Sequence, residues 1–180
     1  MSATTASMLP TGVLVQPLTP YIDARGSFLE LFRKEWRLPI EPVQWNAVTS
    51  NAKVLRGVHV HIRHDDYLSV PLGRASVGLR DLRRGSPTEG LACVVELSGE
   101  TPAAIAIPHG VAHGFFFHEF SLHIYAVSRY WDHADELACR WDDPALEIPW
   151  PAQTAQLSAR DAAAQSLNEL LAELETSQPL

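Results

Sequence analysis

Three short segments hold the side chains best suited to chemistry. The first, L-R-G-V-H-V-H-I-R-H-D-D-Y-L, carries Arg56, His59, His61 and Asp66. The second, I-P-H-G-V-A-H-G-F, carries His109 and His113 near a tight turn. The third, L-H-I-Y-A-V-S-R-Y-W-D, carries His123, Tyr125 and Tyr130. Successive side chains of a strand point to opposite faces. His59 and His61 therefore share one face, and so do His123 and Tyr125. Half-buried histidines and tyrosines are ordinary residues of a barrel when taken singly. The combination is what points to a site.

Two chemistries fit that combination. Histidine titrates near neutrality, so it can take a carbon-bound proton and survive as the cation. A carboxylate behind it would fix its tautomer, and a tyrosine opposite could return a proton to the other face, inverting a stereocentre beside a ketone. The other chemistry is metal binding: His59, His61, Asp66 and His113 offer imidazoles and a carboxylate of the kind that hold a transition metal. H-V-H followed by Asp66 and Gly73 resembles the first motif of the cupin superfamily, with aspartate where glutamate is usual. P-H-G-V-A-H resembles the second motif up to its histidine.

The elements that must carry these residues read mostly as short strands between turn signals. G-V-L-V-Q-P-L-T-P-Y-I-D is an entry strand or edge arm, and G-S-F-L-E-L-F-R alternates as a further strand. Residues 43–62 give two strands around a turn at Ser50 and Asn51. The segment 67–83 reads as a hairpin about Leu72-Gly73-Arg74. Strands follow at 91–97 and 103–108, then a pair around His118 and Glu119. The stretch Trp36 to Pro42 has room for a helical turn. Past Trp150, S-A-R-D-A-A-A-Q-S-L-N-E-L-L-A-E-L-E is rich in helix formers at helical spacing and predicts one helix over about 158–175. Ser158 and Asp161 resemble a capping box at its start. Strands this short and numerous favour an all-β jelly-roll or similar barrel, which protects its edges by double-sheet closure.

Composition bounds the rest. The 180 residues, 46% hydrophobic, suit a single domain over 1–180 with an N-terminal arm of about 20 residues. The formal net charge of −7 disfavours a nucleic-acid or anionic-membrane surface, so an anionic ligand needs a local arginine cluster. Arg83 and Arg84 read as a solvated turn. Cys93 and Cys139 show no C-x-x-C spacing. No secretory start and no apolar run of membrane-spanning length is present, and a cytoplasmic setting is the expectation.

The motifs resemble one family in order and spacing, from about Gly12 to about Leu171. D-A-R-G-S-F-L-E, Q-W-N, L-R-G-V-H, R-R-G-S-P-T-E-G, I-P-H-G-V-A-H-G-F, I-Y-A-V-S-R-Y, W-D-D-P-A-L-E-I-P-W-P and L-S-A-R-D-A-A-A resemble the dTDP-4-dehydrorhamnose 3,5-epimerases. The resemblance implies a cupin-like jelly roll, usually a homodimer, acting without metal or cofactor on a dTDP-4-keto-6-deoxyhexose. It implies that His59 is the base, Asp161 its dyad partner and Tyr125 the proton donor. It places Arg25, Glu30, Gln44, Asn46, Arg56, His113, Glu136 and Arg160 at substrate-binding positions, with Arg25 able to serve a neighbouring subunit. An enolate oxygen at C4 would then be met by Arg56 or a protonated His113. The diphosphate would be met by Arg25 and Arg160. Trp45 and Phe28 are candidates for lining a thymine slot.

The chain departs from that family at two positions. The family's usual glutamine after the base is His61 here, and its usual lysine falls at or near Asp66. An ionised aspartate would repel an oxyanion that a lysine would steady. A different sugar hydroxyl at Asp66, inversion of only C3 or only C5, or a metal set including His61 and Asp66 are the readings this leaves. A non-catalytic sugar-binding relative is a further one.

Overall fold

The computed structural model describes residues 8–132 and 135–177. The first residues of the N-terminal arm lie outside the described residues. Two five-stranded antiparallel sheets face each other. The first has the order β1 (Leu14–Pro17), β9 (Ala103–Ile107), β6 (Asp66–Leu72), β11 (Ser121–Val127), β4 (Gln44–Ser50). The second has the order β12 (Glu136–Ala138), β5 (Leu55–His61), β10 (Val111–Phe117), β7 (Arg74–Asp81), β8 (Ala92–Ser98). Chain neighbours β4 and β5, β6 and β7, β8 and β9, and β10 and β11 each fall in opposite sheets. That alternation is the winding of a jelly roll, and it bears out the all-β, cupin-like expectation.

The same winding corrects the hairpin expected at Gly73. Its two arms, β6 and β7, pair with other strands, and the glycine turns the chain from one sheet to the other. Gly73 has φ +84°, and a Cβ there would strike Ser121 and the Phe120 carbonyl. Only glycine meets both demands at low cost.

Three further boundaries differ from the sequence reading. The entry strand breaks at Pro17, and Pro20–Asp23 (β2) leaves the main sheet to pair with Gly26–Leu29 (β3) as a separate hairpin. The helical turn lies at Lys34–Trp36 rather than over Trp36 to Pro42. The C-terminal helix is two, Ala159–Ala162 (α1) and Leu167–Ser177 (α2). The break has a local cause. Gln165 leaves the helical path to bridge Cys139, and Ser166 starts a fresh helix, exchanging hydrogen bonds with Glu169.

The apolar residues divide by strand face. Leu68, Val70, Val77, Leu79, Ile105, Ile107 and Phe117 fill part of the space between the sheets. On the outer face of the second sheet, Val58 and Val60 belong to a cluster with Trp141, Leu146, Leu167, Leu170 and Leu174. Leu167, Leu170 and Leu174 recur at helical spacing, so α2 buries one stripe. With Val58 and Val60 turned outward, the alternating His59 and His61 turn inward.

Candidate active site

A cavity of about 410 Å³ is walled by both sheets. Arg56, His59, His61, His113 and Phe115 come from β5 and β10; Val48, Asp66, Leu68, His123, Tyr125 and Val127 come from β4, β6 and β11. His64, Trp131, Glu136 and most residues of the segment from Gln156 to Asp161 add to the wall. His59 and Tyr125 thus approach one space from opposite sheets, as the two alternating strand patterns require.

His59 is held at both ring nitrogens. Its Nε2 lies 2.8 Å from Asp161 Oδ1, and its Nδ1 lies 3.0 Å from Glu136 Oε1. Asp161 sits in the first turn of α1. It accepts from the Ser158 hydroxyl at 2.9 Å, while its own backbone N–H donates to Ser158 Oγ at 3.1 Å. Burial would raise its pKa, but hydrogen bonds from His59, Ser158 and Gly57 together outweigh it and hold the carboxyl below its ordinary range. Glu136 starts β12, a three-residue edge strand on β5. It accepts from Trp131 Nε1 at 2.8 Å and from Arg160 Nη1 at 3.0 Å. Burial raises its pKa as well; the His59 charge, Trp131 and Arg160 bring it net below the usual value.

Across the cavity Tyr125 stacks beside His123, with ring centroids 5.9 Å apart. Burial raises the Tyr125 phenol, Asp66 and Glu136 add to this, and Arg56 partly opposes it. The phenol therefore keeps its proton at neutral pH. Arg56 is fixed by donating to Ser50 Oγ at 2.9 Å and to the Thr49 carbonyl at 3.2 Å.

Burial pushes the His113 imidazole down to about 4, which favours its neutral form over the protonated one expected beside an enolate. His123 is likewise pushed to about 4 by burial, with the Arg56 charge adding to the effect. The Asp66 carboxyl is driven well above its ordinary value, first by burial and then by Asp65, Glu136 and Asp135. Burial thus works against the ionised aspartate that sequence reasoning set beside the reacting carbon.

Other expected positions are spread more widely. Gln44 and Asn46 point to the same side of β4 as Val48, and Asn46 is the cross-strand partner of Tyr125. Gln44 Oε1 accepts the Trp131 backbone N–H at 3.1 Å. Arg160 is at the cavity but is committed to Glu136. Arg25 lies on the β2–β3 hairpin, paired with Asp23, and Glu30 pairs with Arg33; neither lines the cavity. Phe28 is exposed on that hairpin, where it lines a separate groove with Tyr21, Ile22 and Arg25, and Trp45 packs against Phe32 and Tyr67, so neither lines the His59 cavity. His109 is exposed, bound to Asp65, and Tyr130 is exposed also.

His64 escaped sequence reasoning. It is buried at the corner between β5 and β6, with Nδ1 2.6 Å from Asp135 Oδ2. Its ring stacks on His61 at 3.9 Å between centroids. The partners are 71 positions apart, and no local spacing signals the pair. The four-residue metal set read from sequence is altered as well: both nitrogens of His59 face Glu136 and Asp161, while His61 and His113 each face Asp66.

Comparison with known proteins points to one family. The dTDP-4-dehydrorhamnose 3,5-epimerase profile matches residues 8–169. The chain is 36% identical over 157 residues to dTDP-4-dehydrorhamnose 3,5-epimerase of Pseudomonas aeruginosa, covering 83% of this chain and 86% of that one. It is 33% identical to the Salmonella typhimurium protein of the same name, covering 91% and 94%. Among solved structures it is similar to the Legionella pneumophila dTDP-6-deoxy-D-glucose-3,5-epimerase in complex with dTDP-4-keto-L-rhamnose (34% identity, TM-score 0.82, covering 91% and 92%). It is also similar to a Streptomyces bikiniensis 3'-monoepimerase in complex with dTDP-quinovose (27% identity, TM-score 0.82, covering 94% and 88%).

Proposed function

Because the chain belongs to the dTDP-4-dehydrorhamnose 3,5-epimerase family, we propose that it is an isomerase that inverts C3, C5 or both in a dTDP-linked 4-keto-6-deoxy sugar. The observation that carries this reading is the His59–Asp161 pair at 2.8 Å, facing Tyr125 across one cavity.

A hydrogen on the carbon next to the C4 ketone is acidic because its electrons can pass into the carbonyl oxygen. His59 removes that hydrogen as a proton, the C–H pair becomes the enolate C=C bond, and charge gathers on the C4 oxygen. The Arg56 guanidinium, pinned in the cavity wall, meets that charge. Tyr125 then gives its proton to the opposite face of the carbon, which inverts it, and both residues recover their starting protonation through solvent. Asp161 stabilises the imidazolium formed between the two steps.

The nitrogen that takes the proton has to be released by one carboxylate. Asp161 is buried and locked by Ser158 and Gly57. Glu136 stands on the short edge strand β12 and is shared with Arg160 and Trp131. In this reading Glu136 yields Nδ1 to the sugar, and Arg160, released with it, turns to the diphosphate. Gln44 and Asn46 hold sugar hydroxyls from β4.

The β2–β3 hairpin suits a homodimer. It exposes Tyr21, Ile22 and Phe28 at 58%, 77% and 63%, more apolar surface than an isolated two-stranded ribbon tolerates well. Docked on a second copy, it would carry Arg25 into that copy's site. The two cysteines, Cys93 and Cys139, are free and buried, in keeping with a cytoplasmic setting. Among the described residues, no helix is long and apolar enough to cross a membrane.

The test is hydrogen exchange in D2O, followed by NMR of dTDP-4-keto-6-deoxyglucose. Loss of the C3 signal, the C5 signal or both establishes the reaction and counts the centres. Retention of both signals in the presence of folded enzyme refutes it for this sugar.

A further inference from the structure

We propose that His61, His64, Asp66 and His113 form a binding site for one divalent transition-metal ion of the zinc type. One nitrogen of His61, one of His64 and one carboxylate oxygen of Asp66 all lie within 4.8 Å of one another. Asp66 Oδ2 is 3.2 Å from His61 Nε2 and 3.6 Å from His113 Nε2. These side chains are buried, with residue exposures of 7% for His61, 1% for His64, 5% for Asp66 and 4% for His113.

The rings are oriented as ligands. His113 Nδ1 lies 3.1 Å from the Val111 carbonyl, which only accepts, so the proton of the neutral ring is on Nδ1 and the lone pair on Nε2 faces Asp66. His64 Nδ1 donates to Asp135 Oδ2 at 2.6 Å, leaving its Nε2 lone pair free. That Nε2 is buried with no hydrogen-bond partner, and so is Nδ1 of His61. A buried polar atom without a partner is uncommon and calls for a cause. An ion that accepts a lone pair supplies one for His64.

The surrounding shell has the matching form. Asp135 is itself fixed, since its Oδ1 accepts the Ile62 backbone N–H at 3.1 Å. A carboxylate behind the far nitrogen of a histidine sets the tautomer and raises the basicity of the ligand. Three imidazoles and one carboxylate select a zinc-like ion over magnesium or calcium, which prefer oxygen. Backbone position explains the convergence: His61 ends β5, Asp66 opens β6 in the facing sheet, His64 sits on the corner between them, and His113 lies on β10 beside β5. All four line the cavity, which gives the ion a way in and leaves room for a further ligand from that side. His59 is outside the set, both its nitrogens being held by Glu136 and Asp161.

The inference rests on these side chains and not on the sugar chemistry, so the two are tested apart. Chelator-stripped, full-length protein is titrated with Zn²⁺ by calorimetry, and cobalt is substituted to read the ligand field by visible absorption. About one zinc per chain is expected, with a cobalt spectrum of low-coordinate nitrogen–oxygen type. Asp135→Asn should weaken zinc by about 10- to 100-fold, and His64→Ala at least as much. His59→Ala should keep it. Far-ultraviolet circular dichroism reports whether each variant is folded. Absence of zinc binding by the folded wild-type protein overturns the proposal. So does binding unchanged in a folded His64→Ala or Asp135→Asn variant, or binding lost in folded His59→Ala.

Discussion

His59 Nε2 and Asp161 Oδ1 stand 2.8 Å apart although 102 residues separate them in the chain. The pair exists because β5 turns His59 into the cavity while Ser158 caps α1 and fixes Asp161 in its first turn. Replacing His59 by alanine should abolish exchange at both C3 and C5 with the fold intact by circular dichroism. Asp161→Asn keeps the shape but loses the charge opposite the imidazolium, and its kcat should fall by about 10²- to 10⁴-fold. Exchange at the wild-type rate in folded His59→Ala would sink the assignment of the base.

Tyr125 occupies the other wall, so its loss should separate the two halves of the reaction. In Tyr125→Phe, proton removal by His59 continues, and exchange of the substrate hydrogen with D2O should outlast inversion. The measurement is NMR exchange set beside product configuration. Equal loss of both rates would count against Tyr125 as the acid.

Glu136 offers a sharper test of which imidazole nitrogen works. If Nδ1 is the nitrogen freed for the sugar, Glu136→Gln weakens the hold on that nitrogen and on Arg160 without touching Asp161. KM for the nucleotide sugar should change more than kcat, because Arg160 loses its anchor while the dyad stays. A fall in kcat as deep as that of Asp161→Asn, with KM unaltered, would move the essential contact to Glu136.

Gly73 tests the winding of the sheets. Alanine there would need φ +84° and would strike Ser121, two demands that cannot be relieved together. Gly73→Ala should lose about 2 kcal/mol or more of stability in urea denaturation. A variant as stable as wild type would show that the corner between β6 and β7 tolerates a side chain.

The extent to which the sequence foretold this site follows from distance along the chain. His59 with His61, and His123 with Tyr125, were readable because a strand repeats every two residues and nothing else is required. The same period sets Trp45 on the face opposite Gln44 and Asn46, so its exclusion from the cavity was readable too. Turn chemistry at Gly73 signals a reversal but does not say whether the strands pair or part to opposite sheets. The partnership of Asp161 with His59 came only through the family resemblance. That of His64 with Asp135 came through nothing local, since each depends on segments brought together by the whole fold. The division of α1 from α2 lay in plain view as Ser166 and Glu169, a second capping pair hidden inside one long run of helix formers.

The electrostatic state of Asp161 also predicts how stability changes with pH. In the folded protein its carboxyl titrates below the ordinary 3.8, since hydrogen bonds from His59, Ser158 and Gly57 overcome the opposing effect of burial. The unfolded chain therefore binds this proton more readily than the folded one, and stability rises with pH through that interval. The stabilising contribution is complete above the unfolded value and disappears as pH falls through the folded one. Asp161→Asn has no such proton to bind. The gap in urea midpoint between wild type and Asp161→Asn, followed from about pH 5 to about pH 2, should be widest at the upper end and close toward the lower. A gap that stays constant over that range would mean that the ionised carboxylate adds nothing to the folded state, and that Asp161 serves His59 without stabilising the fold.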